Sequence, residues 1–126
     1  MILLIGGAYQ GKLDYAASRW GVADSGIYQC SDTAAEVNFA FPVLYGYHLL
    51  VLAQIRAGVD PLAFINEHER DLEDKIIIAD DISSGIVPVD PESRLWREQS
   101  GRAAAMLAAR AVEVIRVFCG IGTRLK

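Results

Sequence analysis

The stretch that decides the fold is Met1-Ile-Leu-Leu-Ile-Gly-Gly-Ala-Tyr-Gln-Gly-Lys-Leu-Asp14, with which the printed chain begins. Its five apolar, uncharged residues 1–5 are followed at once by Gly6 and Gly7, a pattern that predicts a short strand buried on both faces. Apolar residues then recur at helical spacing from Lys12 to Trp20, and Gly21 is a typical C-terminal cap. The pattern predicts a strand, a glycine-rich loop and a helix, in that order.

The loop has the spacing of a phosphate-binding motif, because four residues separate Gly6 from Gly11-Lys12. We expect glycines with positive φ to turn backbone N–H groups toward an anion, at the positive end of the following helix. Lys12 is a candidate catalytic residue, since its charge would reach the outer phosphates. The predicted nucleotide-phosphate site comprises Gly6, Gly7, Ala8, Tyr9, Gln10, Gly11, Lys12 and Leu13. The alternative is that Gly6 and Gly7 merely end a strand.

Leu13 departs from the motif, which has Ser or Thr after the lysine to ligate Mg²⁺. Such a loop can still bind a nucleotide if other groups or water hold the metal. The conspicuous acids Asp80 and Asp81 follow a second predicted buried strand at residues 75–79. Both are candidate Mg²⁺ ligands, and Asp81 is also a catalytic candidate. The alternative is that these acids only cap the next turn.

Composition narrows the classes of function. With 126 residues and 52% hydrophobic content, the chain is expected to form one domain over residues 1–126. A net charge of −4 argues against nucleic acid as a partner. No apolar run reaches the roughly twenty residues needed to span a bilayer, so we expect a cytoplasmic protein without a membrane span. Cys30 and Cys119 form no metal or redox motif and are expected to be reduced.

Strand and helix patterns alternate along the rest of the chain, which predicts an α/β fold with a mainly parallel sheet. Ligands bind such sheets at the carboxyl ends of the strands, where both polar clusters are expected. Residues 31–41 show no readable pattern. Further strands are predicted at 27–30, 75–79 and 114–119, the last closed by Gly120 and Gly122. Further helices are predicted at 44–57, at 62–72 after Asp60-Pro61, and from Asp90-Pro91 to 111, broken or bent near Gly101.

The C-terminal half carries a family resemblance. The segment Asp80-Asp-Ile-Ser-Ser-Gly-Ile-Val-Pro88, then Gly101-Arg102 and the ending Gly120-Ile-Gly-Thr-Arg-Leu-Lys126, resembles the adenosylcobinamide kinase/adenosylcobinamide-phosphate guanylyltransferase family of cobalamin biosynthesis. With residues 1–20, the similar segments cover a little over half of the chain. The resemblance implies a P-loop nucleotide-binding, RecA-like fold of three layers, and a homo-oligomer. It also implies Mg²⁺-dependent phosphoryl transfer from ATP or GTP to a hydroxyl group of a cobinamide-type corrinoid.

The chain also departs from the family pattern. Asp80-Asp81 stands in place of Asn-Glu, Ser83 in place of a glycine, and Ala104-Ala105 in place of Asn-Gln. The family's His-x-x-x-Arg-Pro neighbourhood, whose histidine takes GMP covalently, has no counterpart, so guanylyl transfer is not expected. His48 is expected to be a partly buried, hydrogen-bonded imidazole, and His68 to lie on a solvated helical face. The alternative function is a catalytically inactive nucleotide- or corrinoid-binding partner or regulatory protein.

Overall fold

The computed structural model describes residues 1–83 and 85–126, which form a mixed α/β structure around a six-stranded sheet of order β2-β3-β4-β1-β5-β6. The strands are β1 (Ile2–Gly6), β2 (Ile27–Gln29), β3 (Val43–Tyr45), β4 (Ile76–Asp80), β5 (Glu113–Phe118) and β6 (Ile121–Arg124). The helices are α1 (Lys12–Trp20), α2 (Tyr47–Ala57), α3 (Pro61–Glu67), α4 (Glu69–Leu72) and α5 (Pro91–Arg110). Strands β1 to β5 are parallel, and only β6 pairs in the antiparallel sense. The predicted mainly parallel sheet is therefore confirmed.

Neighbouring residues on each central strand pack on opposite faces of the sheet, as the continuous apolar runs require. Leu3 and Ile77 belong to a core with α2, α3 and α5, whereas Leu4 and Ile78 belong to a core with α1. All four of these side chains are essentially inaccessible to solvent. The sheet therefore lies between two helical layers, and the expected three-layer arrangement is confirmed.

Helix starts follow local chemistry. The Asp60 carboxylate accepts hydrogen bonds from the N–H groups of Leu62 and Ala63, and Asp90 caps α5 in the same way. Each aspartate is followed by proline at the first helical position, where a missing N–H costs nothing. Both predicted helix starts are confirmed. No break occurs near Gly101, because α5 runs as one helix from Pro91 to Arg110.

Other predicted boundaries need correction. The helix predicted from residue 44 begins at Tyr47, because Val43–Tyr45 forms β3, which is inserted between β2 and β4. The strand predicted to end the chain is followed by β6, which includes Gly122 and pairs back on β5. His68 interrupts the helix predicted over 62–72. Its side chain is 34% exposed, with Nδ1 lying 3.0 Å from Oδ2 of Asp71 as expected of a solvated face, and its ring also packs against Phe39 and Phe64.

Among the described residues, no single helix is both long and apolar enough to cross a bilayer. Helices α2 and α3 satisfy that criterion only when they are combined, and they are bent by 111° relative to each other.

Candidate functional site

The two polar clusters predicted from the sequence lie side by side at the carboxyl edge of the sheet. Because β1 pairs with β4, Gly6 is the register partner of Asp80. The N–H of Asp81 also donates to the carbonyl of Gly6 across 2.8 Å. Parallel pairing therefore brings residues 6–13, which we call the 6–13 loop, to the acids that end β4.

Lys12 joins the two clusters. Its ammonium lies 2.7 Å from Oδ1 of Asp80, and it donates to the carbonyls of Gly7 at 2.7 Å and Gly6 at 3.3 Å. The lysine side chain is only 4% exposed, whereas that of Asp80 is 26% exposed. Three acceptors satisfy the three N–H donors of the ammonium, so the buried charge is paired as physical chemistry demands.

The backbone of the loop only partly follows the sequence expectation. Gly11 has a φ of 85° and immediately precedes α1, but Gly6 and Gly7 do not have positive φ values. The other left-handed residue of the loop is Tyr9, with φ of 59°. Gly6 is needed for a different reason, because a Cβ there would overlap the backbone carbonyl of Val117 on β5. Its role is close approach of two strands rather than a turn.

The turn between β5 and β6 supports the 6–13 loop from the other side. Gln10 accepts two backbone hydrogen bonds from this turn, one on Oε1 from Cys119 at 2.7 Å and one on its carbonyl from Gly120 at 2.8 Å. A Cβ on Gly11 would lie 3.3 Å from the Cα of Gly120. This contact could not be predicted from the sequence, because β6 was not predicted.

His48 is a member of the site that sequence reasoning did not include. It lies in the first turn of α2, and its Nδ1 accepts a hydrogen bond from the N–H of Asp80 at 3.1 Å. Its Nε2 lies 3.5 Å from Oδ2 of the same residue, and its ring stacks with Trp96. The prediction of a partly buried, hydrogen-bonded imidazole is confirmed, and the unexpected finding is its partner.

The environment of His48 favours the neutral ring. Burial is the largest effect and lowers the pKa of His48; the Asp80 carboxylate opposes the change and the Lys12 ammonium reinforces it. Because Nδ1 accepts a hydrogen bond, the proton of the neutral ring is on Nε2, facing the carboxylate of Asp80. His48 therefore holds both the backbone and the side chain of Asp80.

Asp81 has a different environment from Asp80. Its side chain is exposed, and its Oδ1 accepts hydrogen bonds from the hydroxyl of Ser83 at 2.7 Å and from the N–H of Ser83 at 3.0 Å. The carbonyl of Ser83 in turn accepts from Nε of Arg97 at 2.8 Å. The structure thus places Asp80 against Lys12 and holds Asp81 in a turn beside the site.

An open cleft of about 490 Å³ lies beside the loop, on the side of β4, β3 and β2. The N-termini of α1 and α2 both face it, and each is preceded by a glycine with positive φ and lacks a side-chain cap. These helix ends direct N–H groups and partial positive charge toward the cleft. The cleft is lined by residues 8–14 and by Gln29, Tyr45, Gly46, His48, Leu49 and Asp80.

The side chains at the site are suited to Mg²⁺ that binds together with a nucleotide. In residues 1–83 and 85–126, no group of three or more His, Cys, Asp and Glu side chains could enclose an ion. Mg²⁺ commonly uses only one or two protein carboxylates, with waters and substrate phosphates completing its shell. Asp80 presents a carboxylate of this kind to the cleft. Leu13 offers no oxygen, and its side chain packs against the core beneath α1.

Comparison with known proteins adds one finding. A family model described as cobinamide kinase / cobinamide phosphate guanyltransferase matches residues 51–125, more than half of the chain. The matched region contains β4, Asp80 and Asp81, α5 and the β5–β6 pair, whereas the 6–13 loop lies outside it. No curated protein matches the chain in sequence.

Proposed function

This chain belongs to the cobinamide kinase / cobinamide phosphate guanyltransferase family, and we propose that it is a kinase-type member. In this proposal, the 6–13 loop binds the phosphates of ATP or GTP, and a phosphoryl group passes to a hydroxyl group of a cobinamide-type corrinoid. The alternative is a catalytically inactive nucleotide- or corrinoid-binding partner or regulatory protein.

The ion pair between Lys12 and Asp80 is the observation that carries the proposal. It places the only lysine of the 6–13 loop within 2.7 Å of a carboxylate from a neighbouring strand, at a helix N-terminus and beside an open cleft. Phosphoryl transfer needs this combination of positioned cation, backbone donors and acid, since its catalysis rests on orientation and electrostatic stabilisation.

Each group at the site has a proposed role in phosphoryl transfer. Backbone N–H groups at the start of α1 would bind phosphate oxygens, and Lys12 would exchange a carbonyl partner for the transferred phosphate. The acceptor hydroxyl oxygen would attack phosphorus, the nucleoside diphosphate would leave, and the hydroxyl proton would go to a carboxylate. Asp81 fits this last role, because its Oδ2 has no hydrogen-bond partner among the described residues. His48 would keep Asp80 in place.

Mg²⁺ would be held by Asp80 together with phosphate oxygens and water, with Asp81 as the second candidate ligand, and it would supply charge neutralisation.

Isothermal titration of the protein with ATP and GTP, with and without Mg²⁺, tests the binding site. We expect Lys12→Ala to weaken the binding of both nucleotides by roughly tenfold or more, which is about the effect of losing one charge-assisted hydrogen bond. Lys75→Ala is a matched control, because Lys75 is comparably buried but precedes β4 at the opposite edge of the sheet. Nucleotide binding that is unaffected by Lys12→Ala would contradict the proposal.

Guanylyl transfer is not part of the proposal. His48 is the only histidine lining the cleft, but its Nδ1 is engaged by the backbone of Asp80 and its Nε2 faces the carboxylate. Incubation with GTP should therefore leave the mass of the protein unchanged. A covalent GMP adduct detected by mass spectrometry would show that the family's second activity is present.

The packing of Leu13 favours the inactive alternative, since an apolar side chain occupies the position of the metal-binding hydroxyl. A phosphoryl-transfer assay on cobinamide separates the two functions. Turnover by the unmodified chain supports the kinase. Turnover by Leu13→Ser alone would show that the natural chain binds its ligands without catalysis.

A further inference from the structure

Three arginines line a groove between α5 and the segment that follows β4. The groove has a volume of about 400 Å³. Arg94, Arg97 and Arg102 follow one another at helical spacing along α5, and Ser83 and Val87 belong to the other wall. We call this the arginine groove. No residue lines both the arginine groove and the cleft beside the 6–13 loop.

The arginine groove carries more positive charge than its own carboxylate neutralises. Glu98 is the one acid among its described lining residues, and it pairs with the third arginine at 2.9 Å. Neither Arg94 nor Arg97 forms an ion pair within the part of the chain that the structure describes. Asp90, one turn before Arg94, gives its carboxylate to the N–H of Ser93. Two guanidinium groups at the groove therefore remain without a countercharge, in a chain whose net charge is −4.

Arg97 has a buried donor without an acceptor. Its Nε donates to the carbonyl of Ser83 at 2.8 Å, whereas its Nη1 is inaccessible to solvent and has no hydrogen-bond partner among the described residues. Burying a charged donor without an acceptor is unfavourable, so such groups normally have a bound partner. A guanidinium presents its N–H groups in a rigid fork that matches the oxygens of an oxyanion. The environment of Arg97 therefore favours an anionic ligand.

A phosphate group matches this charge better than a carboxylate does. A phosphate monoester carries about −1.5 to −2 at pH 7 and has three strong acceptor oxygens, so that one group can neutralise two arginines. Small residues leave room for it, since Gly101 and Ala105 line the groove. We propose that the arginine groove binds a phosphate group between Arg94 and Arg97, either as free phosphate or as part of a larger molecule. This site does not require a nucleotide on the 6–13 loop, because the two share no residue.

Isothermal titration with inorganic phosphate, in a buffer without other polyvalent anions, tests the site. Arg94→Gln and Arg97→Gln should each weaken groove binding about fivefold or more, roughly the effect of losing one charge-assisted contact. Arg97→Lys should not restore the affinity, because an ammonium lacks the planar fork. Arg70→Gln is the matched control and should leave binding unchanged, since Arg70 is an exposed helical arginine on α4, at the opposite edge of the sheet. Because the 6–13 loop would also bind phosphate, Lys12→Met serves as the background in which the groove is measured alone.

Chemical modification of the unaltered protein gives a readout that does not depend on how a variant folds. Phenylglyoxal reacts with accessible arginines, and peptide mapping by mass spectrometry gives the rate at each position. Saturating phosphate should slow the modification of Arg94 several-fold and leave the rate at Arg70 unchanged. Equal rates at Arg94 with and without phosphate would overturn the proposal.

Glycerol phosphate is the second probe and distinguishes the two sources of the ligand. Affinity similar to that of inorganic phosphate supports the site and identifies the phosphate group of a larger molecule as the ligand. Binding of inorganic phosphate alone also supports the site and identifies free phosphate.

Other outcomes would show that the phosphate site is wrong. Phosphate binding that is lost in Lys12→Met and unchanged in Arg94→Gln and Arg97→Gln would leave the proposed function intact and remove the groove site. Loss of self-association in Arg94→Gln, with no phosphate binding to the groove, would assign the arginine groove to a contact between copies of this chain. Conversely, nucleotide binding that is insensitive to Lys12→Ala contradicts the proposed function and leaves the groove site standing.

Discussion

The ion pair between Lys12 and Asp80 should show an asymmetric response to mutation. Asp80→Asn removes the countercharge of an ammonium that is 4% exposed, whereas Lys12→Met leaves a carboxylate that is 26% exposed and can regain water. Removing one partner of a fully buried pair costs about 3–5 kcal/mol. Because this pair borders an open cleft, we expect Asp80→Asn to lower the free energy of unfolding by about 2–3 kcal/mol.

Lys12→Met should lower the free energy of unfolding by only about 1 kcal/mol, because an apolar side chain replaces the buried ammonium and leaves no buried charge at position 12. Gly6 keeps a donor to its carbonyl, the N–H of Asp81, so that carbonyl is not left unpaired. The double variant should then cost less than the sum of the single variants, with a coupling energy of about 1.5–2.5 kcal/mol.

Urea unfolding of the parent, both single variants and the double variant measures these free energies. Glu98→Gln is the control for a surface pair, since Glu98 and Arg102 are both more than half exposed, and it should cost under about 0.5 kcal/mol. A coupling energy as small as that of the control, or a larger cost for Lys12→Met than for Asp80→Asn, would refute the reasoning.

Three further predictions concern neighbouring residues. Gly6→Ala should destabilise the protein by about 2–3 kcal/mol in urea unfolding, because the added methyl group overlaps the carbonyl of Val117. Gly7→Ala is the control and should cost under about 1 kcal/mol, because a Cβ there makes only ordinary contacts. Equal costs for the two variants would contradict the close approach of the strands. The pKa of His48 is lower in the folded than in the unfolded state, so the unfolded state binds more protons between those two values and stability falls as pH drops below about 6.5. Unfolding free energies at pH 7.5 and 5.5 should differ less in His48→Asn, and an unchanged difference would argue against the shift. Leu13→Ser should make ATP binding more dependent on Mg²⁺ in titration calorimetry. It should also cost about 1 kcal/mol of stability, because the packing of Leu13 is lost. An Mg²⁺ dependence identical to that of the parent would show that position 13 does not face the metal.

Local patterns were sufficient where a structure depends on residues close together in the chain. The opening strand, the helix from Lys12 to Trp20 and the starts at Asp60 and Asp90 were all predicted, since caps and periodicity act over a few residues. The wrong predictions fell on short strands and on segments where a strand is followed closely by a helix. Val43–Tyr45 continues directly into the apolar start of α2, so periodicity alone did not separate the strand from the helix. Pro42 and Gly46 on either side were the signal that could have shown it.

The sequence by itself determined the class of fold, the loop with its lysine, the acids after an apolar strand, and the family resemblance. Only the tertiary structure decided that Asp80 rather than Asp81 contacts Lys12, that His48 holds Asp80, and that Gln10 is fastened to the β5–β6 turn. The physical reason is that these contacts depend on which strands pair and on which face each side chain leaves the sheet. Strand order and register are set by packing both faces of the sheet at once, through residues far apart in the chain.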